Sequence, residues 1–253
     1  MSLTTTTGSP KYAWTFDGST TDYITGLTGT TTGTVSYTPG KFNQAITFPN
    51  SSGTGANYVS YTTTPIPIDS GMTIAFWVKF NQVQDSYFCV MGGSSQLYFK
   101  TQGGVGGSIN WFLVNNGQFL GTSVSNYAVN TWYHLALSIG NTSVGAYLNG
   151  VLQSTNSYTV AGTTVDSPTI GAYFGTGMNG LIDDLRIFDR ALTSAQVLSI
   201  YNQQGMPGRG VADGPQPKVF LGPLLSYPTS TGTPPTNDGT KLTFTRASSQ
   251  YLE

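Results

Sequence analysis

The chain has 253 residues, a formal net charge of −1 and charged side chains at only 8% of its positions, whereas about 25% is usual in soluble proteins. Its ten basic residues are scattered, which excludes the clustered basic surface that binds nucleic acid, and no apolar run is long enough to insert into a membrane. Residues 1–10 form a polar tail without the apolar core of a signal peptide, and the abundant hydroxyl and amide side chains are typical of extracellular and virion proteins.

Short β-strands are predicted along most of the chain, because apolar and polar residues alternate between turn residues that recur about every 8–12 positions. The predicted strands cover residues 11–16, 41–48, 57–61, 72–80, 86–91, 96–100, 111–114, 118–120, 132–139, 143–148, 151–152 and 169–173. In 72–80 both faces are apolar, which predicts a strand packed between two layers. Asn149-Gly150 and residues 115–117 (Asn-Asn-Gly) predict hairpin turns.

Residues 180–205 combine a strand with the one clear helical pattern of the chain. Odd and even positions from 181 to 187 alternate, so Asp183 is expected to share a face with Leu181 and to point inward. Thr193 is the predicted N-cap of the helix, with Gln196 as its capping-box partner. Gly205 is predicted to end the helix.

These elements predict an all-β fold: a two-sheet antiparallel sandwich over residues 11–205 with one short helix. Residues 206–218 are rich in Pro and Gly and predict a linker. Residues 241–252 repeat the order of residue types in 41–59 (Lys, Thr-Phe, then Tyr and an aliphatic residue), so 219–253 are interpreted as the start of a second β module or as a tail whose strands pair with a sheet edge. Such pairing would allow self-association, and the parent protein is expected to continue past Glu253.

A series of motifs resembles a known family. FDG (16–18), GKFNQAITF (40–48), TIAFWVKF (73–80), NTWYHLAL (130–137), YLNGVL (147–152) and GLIDDLRIFDRALTSAQ (180–196) follow one another in the order and spacing of the laminin-G-like domain. This domain belongs to the concanavalin A-like jelly-roll superfamily, so the resemblance implies a jelly roll. The amino-acid sequence of residues 14–50 is also similar to laminin-G-like segments in virion proteins of large algal DNA viruses.

The resemblance implies one candidate metal site and no required cofactor. Many laminin-G-like domains hold a calcium ion at the sandwich edge, which suggests Asp17, Asp22 or Asp183 as oxygen donors here. Calcium takes about six to eight oxygen ligands, so backbone carbonyls would have to supply several. The alternative is that Asp183 and Asp184 bind backbone amides and pair with an arginine.

An enzyme is not expected. Most glycosidases need two carboxylates about 5–9.5 Å apart, whereas the one glutamate is Glu253 and the adjacent Asp183 and Asp184 should point to opposite faces of a strand. The single histidine, His134, and the single cysteine, Cys89, both lie within apolar strands and are interpreted as structural.

Binding of a glycan or a protein is the predicted function, because jelly-roll modules recognise sugars with aromatic rings and nearby amides. The candidate ligand-binding residues are Tyr87, Trp111, Asn115, Asn116 and Tyr173. The module would act in recognition or adhesion at a virion or cell surface. The alternatives are a purely structural or decoration component of a capsid and, more remotely, a glycan-active enzyme.

Overall fold

The computed structural model describes residues 8–51, 54–93, 96–103, 107–115, 118–157, 164–203, 236–237 and 242–243. Its strands begin with β1 (Tyr12–Trp14), β2 (Thr30–Thr32), β3 (Ser36–Pro39), β4 (Gln44–Pro49), β5 (Tyr58–Ser60), β6 (Ile66–Pro67), β7 (Met72–Phe80), β8 (Ser86–Gly93), β9 (Gln96–Gln102) and β10 (Ser108–Asn115). They continue with β11 (Gln118–Ser125), β12 (Trp132–Ile139), β13 (Ser143–Leu148), β14 (Val151–Ser157), β15 (Thr164–Ile170), β16 (Ala172–Tyr173), β17 (Thr176–Gly177) and β18 (Asn179–Phe188), followed by the helix α1 (Ser194–Asn202).

The strands form two large sheets. The first, eight-stranded sheet has the order β14-β13-β12-β7-β18-β4-β3, with β1 paired to β18. The second, ten-stranded sheet has the order β11-β10-β9-β8-β15-β5-β2, with β6 beside β15 and the β16–β17 hairpin beside β8. All strand pairs are antiparallel except a single parallel contact between Gly177 and Tyr87. The prediction of a two-sheet antiparallel jelly roll with one helix is confirmed.

Aromatic rings fill the space between the two sheets. Phe76 of β7 lies 4.9 Å from Phe99 and 6.1 Å from Phe88, both on the second sheet, and all three side chains are buried. Burying a side chain of this size contributes roughly 1.5–3 kcal/mol. The core therefore holds the sheets face to face and fixes which side chains point outward.

The outer face of the first sheet is covered by α1. Ala75, Ala136, Tyr147, Phe188, Leu192, Val197 and Ile200 form a second buried cluster there. One face of β7 packs in the main core and the other packs under α1. This agrees with the prediction that β7 lies between two layers. The helix starts as expected, because the Thr193 side chain accepts a hydrogen bond from the Gln196 amide and the Gln196 side chain accepts one from the Thr193 amide. The helix ends earlier than predicted, since its C-cap Gln203 already has an extended backbone, and Gly205 itself lies outside the described residues.

A β-bulge in β18 corrects the predicted alternation of that strand. The pairing with β7 shifts between Asp183 and Arg186, and Asp184 has a φ of 53°. Ile182 and Leu185 consequently both belong to the main core, although a regular strand would place them on opposite faces. Asp183 pairs directly with Trp77 of β7, so it lies on the covered outer face and not on the inner face.

The predicted hairpin turn at Asn149-Gly150 is present. Asn149 and Gly150 have φ values of 50° and 78°, as a two-residue turn of type I′ requires, and they connect Leu148 to its partner Val151. Asn115 pairs with Gln118 in the antiparallel pair of β10 and β11, and residues 116–117 of the second predicted turn lie outside the described residues.

The chain divides into two units, Met1–Ala212 and Asp213–Glu253. In the second unit, the strands β19 (Thr236–Asn237) and β20 (Leu242–Thr243) pair antiparallel with each other. The rest of the predicted tail strands, including residues 250–252, lies outside the described residues, so a second module and edge pairing stay predictions. No helix in the described part of the chain is long and apolar enough to cross a membrane.

Candidate functional site

The outer face of the second sheet presents aromatic side chains from neighbouring strands. Successive side chains of a strand point to opposite faces, so Phe99 and Trp111 are buried in the core while Tyr98 and Phe112 point outward and are half-buried. Tyr98 and Phe112 are direct cross-strand partners, and their ring centroids are 5.1 Å apart.

Three more rings extend this pair into a continuous surface. The Tyr87 ring lies 5.5 Å from Tyr98, 6.2 Å from Tyr173 and 6.1 Å from Phe174, and Tyr173 lies 4.1 Å from Phe174. We call Tyr87, Tyr98, Phe112, Tyr173 and Phe174 the aromatic patch. Flat rings exposed side by side offer a ligand apolar contact area at low cost in side-chain entropy.

Phe174 is the most exposed ring of the aromatic patch, at 71%. It lies at the tip of the β16–β17 hairpin with a φ of 49°, a conformation that costs a bulky residue of order 1–3 kcal/mol. Neither burial nor local backbone preference explains a phenylalanine at this position, which is a reason to look for a role in binding.

A cavity of about 370 Å³ adjoins the aromatic patch. Its lining combines rings, hydroxyls and glycines: Gly55, Tyr58, Ser60, Thr169, Ala172, Tyr173, Phe174 and Gly175. The volume falls in the range of small-molecule sites, roughly 300–1,000 Å³. Partial burial raises the pKa of the Tyr98 hydroxyl, and the electrostatic interaction with Tyr87 raises it further. The hydroxyl therefore keeps its proton and can donate a hydrogen bond to a ligand.

The structure places only two of the five predicted ligand-binding residues in the aromatic patch. Tyr87 and Tyr173 are brought together in the aromatic patch. Trp111 is only 1% exposed and points into the core, so we remove it from the candidate residues and replace it with its neighbour Phe112. Asn115 is the last residue of β10, with its side chain outside the described part, and Asn116 lies outside the described residues altogether.

Sequence reasoning missed Tyr98, Phe112 and Phe174. Alternation along β9 and β10 does separate Tyr98 from Phe99 and Trp111 from Phe112, but it does not say which set faces the core. The strand pairings supply that information, because they place Tyr98 opposite Phe112. The sequence signal for Phe174 was its place in the short segment Ala-Tyr-Phe-Gly-Thr-Gly (172–177), an aromatic residue between turn glycines.

The outer face of the first sheet contains aromatic residues that are not accessible. Trp77 is 5% exposed; its ring stacks on Tyr201 of α1 at 5.4 Å, and the Lys41 ammonium lies 4.3 Å from its centroid. His134 packs edge-on against Trp77 at 5.2 Å. Burial, followed by the charge of Arg186, lowers the pKa of His134 to about 3, so the imidazole is neutral and structural.

Asp183 and Asp184 are buried on this covered side and bound to protein groups. Asp183 Oδ2 accepts a hydrogen bond from the Phe42 amide at 2.9 Å, and a Cβ on Gly40 would lie 2.6 Å from the same oxygen. Asp184 Oδ2 lies 3.3 Å from Arg186 Nη2. The bulge thus brings both carboxylates to groups on one side of the strand, instead of the opposite faces expected, and neither is presented to a substrate.

The predicted calcium ligands each accept hydrogen bonds from protein groups. Asp22 accepts hydrogen bonds from the amides of Ala13, Ile24 and Thr25 and from the Thr25 hydroxyl, at 2.5–3.3 Å, which occupies its oxygens within a turn. Asp17 accepts from the Gln44 amide at 2.9 Å. Among the described residues, no three His, Cys, Asp or Glu side chains are grouped closely enough to hold a metal ion.

Two remaining features are structural. Cys89 is buried, and burial raises the pKa of its thiol, which agrees with the predicted core thiol. A second cavity, of about 150 Å³, lies where the chain enters and leaves the domain. It is lined by Gly8, Ser9, Pro10, Tyr23, Ile24, Arg186, Phe188 and Gln203.

Comparison with known proteins agrees with this architecture. A family model described as the concanavalin A-like lectin/glucanases superfamily matches residues 52–198. No curated protein matches the sequence.

Solved structures share the fold at low sequence identity. Domain 4 of an extracellular arabinanase from Geobacillus stearothermophilus, in complex with arabinotriose, is 21% identical with a TM-score of 0.60, and the match covers 76% of this chain and 98% of that one. The ligand-binding domain of botulinum neurotoxin serotype D, in complex with N-acetylneuraminic acid, is 14% identical with a TM-score of 0.62, covering 76% and 50%. The binding domain of botulinum neurotoxin DC, in complex with rat synaptotagmin II, is 15% identical with a TM-score of 0.63, covering 78% and 52%. The chain spans about half the length of these toxin domains, and the likeness is one of fold.

Proposed function

This chain belongs to the concanavalin A-like lectin/glucanases superfamily, and from that premise we propose that it is a non-catalytic glycan-recognition module. The observation that carries the proposal is the aromatic patch on the outer face of the second sheet. Sugar rings have apolar faces and polar edges, so they stack on aromatic side chains and take hydrogen bonds from surrounding hydroxyls and amides.

The surroundings of the aromatic patch suit such a ligand. The hydroxyl-bearing residues Tyr58, Ser60 and Thr169 line the adjoining cavity. The arabinanase domain in complex with arabinotriose and the toxin domain in complex with N-acetylneuraminic acid have the same fold, which supports this use of the sandwich. The non-catalytic part of the proposal is supported by Asp183 and Asp184, whose carboxylates are buried and bound to protein groups.

Screening the full chain on a glycan array, followed by calorimetry on the hits, tests the proposal. We expect Tyr98→Ala and Phe174→Ala each to weaken binding about tenfold or more, since a stacking ring contributes both buried area and specific ring contacts. Tyr23→Ala is the matched control, because Tyr23 is 46% exposed but lies outside the aromatic patch. Absence of any glycan ligand, or equal losses in Tyr23→Ala, contradicts the proposal.

A role in adhesion at a virion or cell surface is the wider setting that we propose for this binding. The purely structural alternative, a capsid or decoration component, predicts binding to purified capsid that survives Tyr98→Ala. Binding to a protein partner through the same face predicts a signal on a protein array and none on the glycan array.

A further inference from the structure

Lys100 is the one charged side chain contributed by β8, β9 and β10. It pairs across the sheet with Tyr87 on one side and Asn110 on the other, so it lies on the outer face among the rings of the aromatic patch. Its ammonium is 5.1 Å from the centroid of the Phe112 ring. A charge is unusual in this chain, where only 8% of residues are charged, and this one is held within the candidate site.

Two aspartates lie on strands or turns near Lys100, and neither forms an ion pair with it among the described residues. Asp166 lies on β15 opposite Gly92, beyond the row formed by Val90, Tyr98 and Phe112 and therefore at the other end of the face from Lys100. The Asp85 carboxylate accepts a hydrogen bond from the Gly103 amide at 2.7 Å. Among the described residues, the ion pairs involve Arg186 and Arg190 and do not include Lys100.

Resting on the proposed function, we propose that the aromatic patch binds an acidic glycan, with the carboxylate or sulfate of the sugar directed to Lys100. The Lys100 ammonium lies over the Phe112 ring and can donate to an anionic group, and a charge-assisted hydrogen bond is roughly twice as strong as a neutral one.

The experiment compares sugars that differ only in charge. Oligogalacturonate and its fully methyl-esterified form share one backbone, and dextran sulfate and dextran provide the equivalent pair for sulfate. We expect the full chain to bind the charged member of a pair about fivefold to tenfold more tightly, as one charge-assisted contact allows. Which pair shows the preference identifies the anion.

Lys100→Gln should abolish the preference, so that the charged and the neutral sugar of a pair bind with about the same affinity. Lys79→Gln is the matched control, because the Lys79 ammonium also lies over a ring, 5.2 Å from Trp132, but belongs to the first sheet. Raising the salt concentration from about 0.01 M to about 1 M, which shortens the Debye length from about 30 Å to about 3 Å, should weaken wild-type binding to the acidic sugar more than that of Lys100→Gln.

The outcomes separate this inference from the proposed function. If Tyr98→Ala loses neutral and acidic sugars alike while Lys100→Gln changes neither, the glycan site stands and the acidic preference is wrong. If Lys79→Gln reduces the preference for the acidic sugar as much as Lys100→Gln does, the preference comes from the net charge of the protein and the inference is wrong. Preferential binding of an acidic peptide over every acidic sugar overturns both proposals.

Discussion

The two outer faces of the sandwich are built by the same kind of alternating strand and are both rich in aromatic residues, yet they have opposite surroundings. On the first sheet, Trp77 stacks on Tyr201 of α1 and is 5% exposed. On the second sheet, Tyr98 and Phe112 are half-buried and Phe174 is 71% exposed. Aromatic content alone therefore does not distinguish a binding face in this domain. The two faces differ in whether another element, here α1, covers the rings.

Charges follow the same division. On the covered face, Arg186 and Asp184 are buried and paired with each other at 3.3 Å, and the His134 imidazole is kept neutral. On the open face, Lys100 has a ring beneath it and no carboxylate beside it among the described ion pairs. The first face therefore contributes stability, and the second is available for recognition.

The largest expected effect is on the covered face. Trp77→Ala should lower the free energy of unfolding by about 3–5 kcal/mol, as is usual when a buried tryptophan is removed, measured by chemical denaturation. Trp132→Ala is the control, since Trp132 lies on the same sheet but is half-buried, and it should cost less than half as much. Comparable losses in the two variants would mean that α1 does not protect Trp77 in solution.

The second effect is a dependence of stability on pH through His134, the one histidine of the chain. Its pKa is about 3 in the folded state and about 6.5 when unfolded, so below pH 6.5 the unfolded chain binds the extra proton. Stability is therefore complete above pH 6.5 and falls as the pH is lowered, by about 2 kcal/mol between pH 8 and pH 5. Denaturation of wild type and His134→Gln across this range should show the loss in wild type and a much flatter profile in the variant. Parallel profiles would assign the acid sensitivity to other groups.

On the open face, Phe174 offers a change that should separate stability from binding. Phe174→Gly removes the ring and relieves the backbone strain at a φ of 49°, so the free energy of unfolding should rise by up to about 1 kcal/mol. Phe174→Ala removes the ring and keeps the strain, which makes it the matched control for stability. Both variants should lose glycan affinity equally. A clear loss of stability in Phe174→Gly would show that the ring packs as part of the fold.

The smallest effect is expected from chelation. Asp22 is saturated by amide and hydroxyl donors, and Asp17 and Asp183 each accept an amide of residues 42–44. We therefore expect the melting temperature to be the same in EDTA and in millimolar calcium. A calcium site of micromolar affinity would instead add about 4 kcal/mol by mass action and raise the melting temperature by several degrees.

Much of the fold follows from local sequence, because its signals are local. Thr193 and Gln196 identify the helix start by chemistry confined to four residues, and Asn149-Gly150 identifies a turn by its backbone preference. The bulge at Asp184 could not be predicted in this way. Its position depends on the pairing of β18 with β7, and one inserted residue reverses the face of every side chain after it.

The candidate site was only partly predictable for a related reason. Tyr87 and Tyr173 are among the residues predicted to bind a ligand, but the choice between Trp111 and Phe112 depends on which face of β10 meets the core. That choice is made by long-range packing between the sheets, as the 1% exposure of Trp111 shows. Lys100 gains its significance only from strand partners that are distant in sequence.

The small cavity of about 150 Å³ has a consequence for how the domain can be carried. Gly8–Pro10, which lead into β1, and Gln203, which follows α1, line the same cavity; Arg190 donates to the Ser9 carbonyl at 3.1 Å, and Arg186 donates to the Gln203 side chain. A domain whose entry and exit meet can be inserted into a surface loop of a host protein, or circularly permuted by joining residues 8 and 203, without reordering its core.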